Sequence, residues 1–157
     1  MTPAQDEALL REAIALSREA RAAGDEPYGA VLADAQGRVL VRARNTQTSA
    51  RDVTAHAEMN LVRRLPPSLT REVLAAATVY ASGEPCPMCA GAIYWAGIGR
   101  VVYGQSIETM TALSGGATAD ELALHCREVL VSGTRRVEVL GPRLEAEARR
   151  VFEEPLA

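Results

Sequence analysis

Four side chains in two short segments have the types and spacing to do chemistry: His56 and Glu58 in Ala55–His56–Ala57–Glu58, and Cys86 and Cys89 in Pro85–Cys86–Pro87–Met88–Cys89. An imidazole and two thiolates suit zinc, and three protein ligands leave one tetrahedral position open, as in catalytic rather than structural sites. Zinc held in that way makes water a usable nucleophile at neutral pH. Glu58 lies two residues beyond His56, close enough to reach that water without being a ligand. A carboxylate there can accept a proton from water and pass it to a departing nitrogen. The set therefore reads as a hydrolytic site, with Zn2+ on His56, Cys86 and Cys89 and Glu58 as proton shuttle. Two other readings attach to the same residues. An isolated C-x-x-C can be redox-active, but that leaves His56 and Glu58 unexplained. A structural zinc would need a fourth protein ligand, for which Cys126 or the adjacent His125 is available. The plainer expectations are that Cys126 is a small buried residue and that His125 is structural or pocket-facing.

For Cys86 and Cys89 to converge, they must sit three apart on a helix, with His56 approaching from a facing one. Pro87 is tolerated in a first turn, so the spacing predicts a helix from there to about residue 96. A strand over 77–82 leads into it, and Gly97–Ile98–Gly99 releases it into a strand over 100–103. The His56 helix begins near Thr54 or Ala55 and is stopped after Leu65 by Pro66–Pro67. Upstream, Leu9, Leu10, Ala13, Ile14, Leu16 and Ala20 recur at helical spacing, predicting a helix over 4–23 ended by Gly24. Strands over 28–33 and 39–44, joined by the polar turn from Asp34 to Gly37, form a hairpin. The stretch 45–54 reads as a loop leading to the site, and 69–74 as a short helical turn. Residues 104–118, rich in Ser, Thr and Gly, read as a loop over the site. A helix over 119–132, a strand over 136–140 and a closing helix over 142–153 follow. Alternating strands and helices after residue 55 predict a three-layer α/β fold in which the strands at 77–82 and 100–103 are parallel.

At 157 residues and 48% hydrophobic content the chain is expected to be one domain over 1–157. With one Phe and one Trp, its core must be filled mainly by Ala, Leu and Val. Seventeen basic against twenty acidic residues give a net charge of -3, and no long basic run is present; this weighs against a nucleic-acid partner. Three cysteines cannot all pair, and nothing resembles a signal peptide, so a cytoplasmic protein with reduced thiols is expected. No apolar run reaches the roughly 18 residues a membrane span requires, so no membrane partner is expected.

The order His-x-Glu followed by Pro-Cys-x-x-Cys is the signature of zinc-dependent base deaminases. Together with Glu84–Pro85–Cys86–Pro87–Met88–Cys89–Ala90–Gly91–Ala92–Ile93–Tyr94–Trp95–Ala96, it resembles the purine-type branch of the cytidine deaminase-like superfamily, bacterial guanine deaminases in particular. The resemblance includes Pro27–Tyr28–Gly29–Ala30–Val31 and Asn45, and extends from about residue 7 to 104. It implies an α/β/α cytidine deaminase-like fold with a mixed five-stranded sheet, usually a homodimer, acting on a small-molecule nucleobase or nucleoside. It implies zinc on His56, Cys86 and Cys89, Glu58 as proton shuttle and Asn45 hydrogen-bonding the base. Tyr28 would be a pocket wall where Phe is common, and the backbone amides around Ala57 and Cys86 would hold the base carbonyl or exocyclic group. His125 completes the candidate substrate-binding set.

The tail departs from the pattern. Bacillus-type guanine deaminases close the pocket with a swapped C-terminal segment bearing an aromatic end, whereas residues 153–157 here are Glu-Glu-Pro-Leu-Ala; Phe152 is available as a substitute. Asp120 or Glu121 could supply a second carboxylate to the substrate amine or be solvated first-turn acids. The implied reaction is guanine to xanthine plus ammonia. Adenosine in transfer RNA is the near alternative, sharing the cysteine motif and the segment from Gly99 to Gly104. Cytosine, a nucleoside, isocytosine or an aminotriazine also fits the core chemistry. A zinc-stabilised binding domain is the non-enzymatic alternative, which has no use for Glu58.

Overall fold

A capping box starts the chain's first helix. The Thr2 hydroxyl accepts from the Gln5 N–H at 3.3 Å, the Gln5 side chain accepts from the Thr2 N–H at 2.8 Å, and Pro3 occupies the first turn. In the computed structural model, which describes residues 1–115, 120 and 122–155, this helix is α1 (Pro3–Ala22). Its apolar stripe of Leu9, Leu10, Ala13 and Ile14 is buried against the sheet. β1 (Gly29–Ala33) and β2 (Val39–Arg44) form the expected hairpin, and α2 (Gln47–Ala50), α3 (Ala57–Arg63) and α4 (Arg71–Ala76) follow. β3 (Thr78–Gly83), α5 (Pro87–Trp95) and β4 (Arg100–Gln105) make a strand–helix–strand unit; α6 (Ile107–Leu113), α7 (Cys126–Val131), β5 (Glu138–Leu140) and α8 (Glu145–Glu153) complete the chain.

The strand order is β2-β1-β3-β4-β5, with β1 antiparallel to both neighbours and β3, β4 and β5 parallel. This is the mixed five-stranded sheet of the cytidine deaminase-like architecture. Strand alternation sorts side chains to two cores. Val79, Ala81, Val101 and Tyr103 face Leu61 of α3, Ile93 of α5 and Leu130 of α7, whereas Tyr80 and Val102 face Leu10 and Ile14 of α1 and Val151 of α8. Helices thus cover both faces. Close approach of α1 to β1 depends on Gly29, where a β-carbon would collide with the Ala13 carbonyl oxygen. Buried Asp6 fastens the α1 face: it accepts from the Tyr80 hydroxyl and from both terminal nitrogens of Arg100, each at 2.7 Å. The bidentate guanidinium is the main reason its carboxyl lies below the usual carboxylate range.

Three segments differ from the sequence expectation. The stretch 45–54 contains α2. In 104–118, β4 continues to Gln105, and α6 then starts at a Ser106 cap whose hydroxyl accepts from the Thr109 N–H at 3.3 Å. The helix expected over 119–132 begins only at Cys126, and residues 122–125 are not helical. Residues 116–119 and Glu121 lie outside the described residues. Among the described residues, no helix is long and apolar enough to cross a membrane.

Candidate active site

His56 and Cys86 are the N-caps of α3 and α5, and Cys89 lies one turn into α5. α3 and α5 pack on the same sheet face, so two helix starts and one buried turn meet there. The His56 Nδ1 is 3.6 Å from the Cys86 Sγ and 3.5 Å from the Cys89 Sγ, and the two sulfurs are 3.6 Å apart. A tetrahedral zinc with Zn–S of about 2.3 Å and Zn–N of about 2.1 Å separates sulfur from sulfur by about 3.8 Å and sulfur from nitrogen by about 3.6 Å. The triangle therefore has the size of a zinc cage, and these residues could hold the Zn2+ cofactor. Helix starts favour negative charge, which suits thiolate ligands. The Cys89 thiol and then the His56 ring hydrogen-bond the Cys86 sulfur and bring it down to about 4; the same arrangement, together with burial, pushes Cys89 up. The Cys86 sulfur in turn raises the proton affinity of His56.

Glu58 sits in the first turn of α3 and is 5% exposed. Burial is the main cause that pushes its carboxyl up to about 6. Glu58, His56 and Cys86 open into a pocket of about 810 Å³, also lined by Tyr28 and Asn45. Tyr28 meets Phe152 of α8 edge to face, with ring centroids 5.8 Å apart, so this chain's own last described helix supplies an aromatic wall. The buried Asn45 amide is oriented by Gln47: its Nδ2 donates to the Gln47 Oε1 at 2.6 Å and its Oδ1 accepts from the Gln47 N–H at 2.9 Å. Ala57 is wholly buried in the core beside its helix start and does not line the pocket. Asp120 lines the mouth. Cys126 is buried outside the ligand triangle, and burial raises its thiol.

His125 is not brought to the pocket wall. Its Nδ1 lies 3.1 Å from the Glu84 Oε1 and its Nε2 lies 3.0 Å from the Glu108 Oε1. Glu84, two residues before Cys86, also accepts from the Ile107 N–H at 3.1 Å and the Cys126 N–H at 3.0 Å. One carboxylate thus pins the starts of α6 and α7 to the end of β3. Asn60 does similar work on the other side, donating through Nδ2 to the Arg44 carbonyl and the Thr46 hydroxyl, both at 2.9 Å. It ties α3 to the strand end that presents Asn45. Sequence reasoning missed both: Asn60 lies inside α3 and Glu84 directly follows β3, and neither carries a local signal of these partners.

Fold and ligand set together define a zinc-dependent hydrolase of the deaminase type. The chain belongs to a known family: residues 3–105 match the cytidine and deoxycytidylate deaminase zinc-binding region. It is 39% identical over 145 residues to the Schizosaccharomyces pombe protein named "Probable cytosine deaminase", covering 92% of this chain and 88% of that protein. It is 39% identical over 100 residues to the tRNA-specific adenosine deaminase of Bacillus subtilis, covering 64% of this chain and 62% of that one. In the tRNA(Ile)-lysidine synthase of Deinococcus radiodurans the match, 39% over 118 residues, covers 75% of this chain but 20% of the relative's length. Among solved structures, the guanine deaminase of Bacillus subtilis superposes with a TM-score of 0.59 at 36% identity, covering 73% of this chain and 71% of that chain. The guanine deaminase of Nitrosomonas europaea superposes with a TM-score of 0.74 at 20% identity, covering 97% and 83%, a likeness of fold.

Proposed function

We propose that the chain hydrolyses the exocyclic amine of a free nucleobase, converting guanine and water to xanthine and ammonia. The observation that carries this reading is the opening of His56, Cys86 and the buried Glu58 carboxylate into one pocket with an aromatic wall. Such a slot suits a flat heterocycle. Bound by His56, Cys86 and Cys89, zinc would supply the Lewis acidity that lets water act as a nucleophile at neutral pH. Glu58 takes one proton from that water and delivers it to the amine nitrogen. The water oxygen bonds to the ring carbon, the carbon–nitrogen bond breaks, and the second water proton ends on the product's ring nitrogen. A carboxyl near 6 is suited to both halves of that transfer. Tyr28 bounds the ring, and Asn45, held by Gln47, hydrogen-bonds its edge. The amide of Cys86, at a helix start where N–H groups lack intrahelical partners, serves the carbonyl or exocyclic group. His125 positions the α6 and α7 starts through Glu84.

Cytosine is the second reading, favoured by the identity to the S. pombe protein along most of both chains. The acids Glu26 and Asp120 at the pocket oppose a transfer RNA backbone. We also propose a homodimer in the cytoplasm. Trp95 on α5 is 86% exposed and Val131 on the adjoining α7 is 76% exposed, an apolar surface of the kind buried between subunits. The three free cysteines suit a reducing compartment. Light scattering measures the assembly.

The test of substrate is ammonia release by zinc-loaded protein offered guanine, cytosine, adenine, isocytosine, aminotriazines, guanosine, cytidine and transfer RNA. Turnover of guanine is expected. Turnover of cytosine without guanine moves the assignment to the second reading, and turnover of transfer RNA with neither base overturns both.

A further inference from the structure

Besides Glu84 and Asp120, Glu26 is a pocket carboxylate with no part in that chemistry. Glu26 lines the pocket from the segment between α1 and β1, and its backbone is fixed on both sides. Before it, the buried Asp25 carboxylate accepts from the Ser49 N–H and hydroxyl, each at 2.8 Å, and from Arg44 at 3.4 Å. After it, Pro27 restricts the chain, and the Tyr28 N–H donates to the Glu26 carbonyl at 2.8 Å. The Glu26 side chain is nevertheless exposed, and its carboxylate has no hydrogen bond or ion pair among the described residues. A carboxylate only accepts, so its partners at this pocket, beyond water, are the donors of whatever enters. Among the described pocket residues the one Arg or Lys is Arg21, whose guanidinium already donates to the carbonyl oxygens of Phe152 and Glu154. Among the described pocket residues no other guanidinium or ammonium stands ready for a phosphate.

Building on the deaminase reading, we infer that Glu26 is a specificity-determining residue: its carboxylate accepts an N–H of the substrate base away from the scissile amine and disfavours the 5′-monophosphate of the same base. A ring N–H replaced by a glycosidic bond removes that donor, and an added phosphate brings like charge to the mouth. The residue thereby selects free, donor-rich heterocycles.

The test compares wild type with Glu26→Gln and Glu26→Ala, all zinc-loaded. KM, kcat and calorimetric Kd are measured for guanine and cytosine, their nucleosides and their 5′-monophosphates. Glu26→Gln is expected to raise KM and Kd for the preferred base about tenfold, and to narrow its preference over the monophosphate by a similar factor. The kcat should stay within about twofold, because the interaction is made in ground state and transition state alike. Equal KM and Kd for every compound in all three proteins, or a wild type that prefers a monophosphate, overturns the role of Glu26. If wild type binds a base with Glu26-dependent affinity but deaminates nothing, the proposed reaction fails and the recognition role stands. If it binds no base, both fail.

Discussion

Glu58 and Glu84 occupy mirrored places around the metal ligands, one two residues after His56 and the other two residues before Cys86, and they are 5% and 4% exposed. Burying a carboxylate is costly unless hydrogen bonds replace its water, and the two are compensated differently. Glu84 accepts from two backbone amides, Ile107 and Cys126, and from the His125 ring, all supplied by distant parts of the chain. Glu58 has local company, its own N–H, the Cys89 thiol and the charge of His56, and burial still pushes it up to about 6. A carboxylate saturated by fixed donors is a fastener. One whose charge is only partly compensated can change protonation state, and among buried acids that is the mark of a reagent.

The largest expected effect comes from removing the reagent. Glu58→Gln keeps the shape and the neighbouring donors but cannot take a proton, so kcat should fall by about 10³-fold or more, within the range of general acid–base catalysis. Bound zinc, by elemental analysis, and Tm should stay close to wild type, since the ligand triangle does not include Glu58. Full activity in this variant would remove the distinction between the two acids. Removing the fastener should do the reverse. Glu84→Ala leaves the Ile107 and Cys126 amides without their acceptor, and each unpaired buried donor costs about 1–3 kcal/mol. Denaturant unfolding should show a loss of about 2–6 kcal/mol on that accounting, with hydrogen exchange accelerated first at those two amides. Glu84→Gln, which retains one acceptor oxygen, should lose less. Unchanged stability in Glu84→Ala, with a kcat loss equal to that of Glu58→Gln, would mean that both acids act on substrate.

The same contrast explains what the sequence disclosed. The role of Glu58 is local: a His-x-Glu spacing places ligand and acid at one helix start, so residue types and intervals suffice. The two cysteines are legible for the same reason, since three residues on a helix make one face. Most elements are legible too, because α1 carries a clean helical pattern and the buried strands are short, mostly apolar runs. Glu84 is not legible, because its donors, two backbone N–H groups and the His125 ring, lie 23, 42 and 41 residues away, beyond the reach of a local pattern. Composition hid α6: the Ser and Thr residues that suggested a loop act here as a cap, with Glu145 of α8 accepting from the Ser106 hydroxyl at 2.8 Å and the Thr109 hydroxyl at 2.7 Å. The Tyr28–Phe152 wall joins the two ends of the chain, a separation no local signal spans.

The smallest effect tests whether the Glu84 fastening includes a charge. His125 bridges Glu84 and Glu108, and its ring is held above the ordinary value of 6.5, first by the hydrogen bond to Glu84 and then by that carboxylate's charge. Because the folded value is the higher one, the stabilisation is fully present below the unfolded value and is lost as pH rises through the folded one. The ring is 41% exposed, so solvent keeps the effect modest. The informative quantity is the Tm of wild type minus that of His125→Gln, both zinc-loaded, so that protonation of the shared metal ligands cancels. It should be largest near about pH 5.5 and shrink by about pH 8.5, the range in which imidazole titrates. A difference that is flat, or that grows with pH, would show that His125 serves Glu84 only as a neutral donor. The fastener would then hold through its two amides alone, which would widen the contrast with Glu58, whose work depends on a proton that moves.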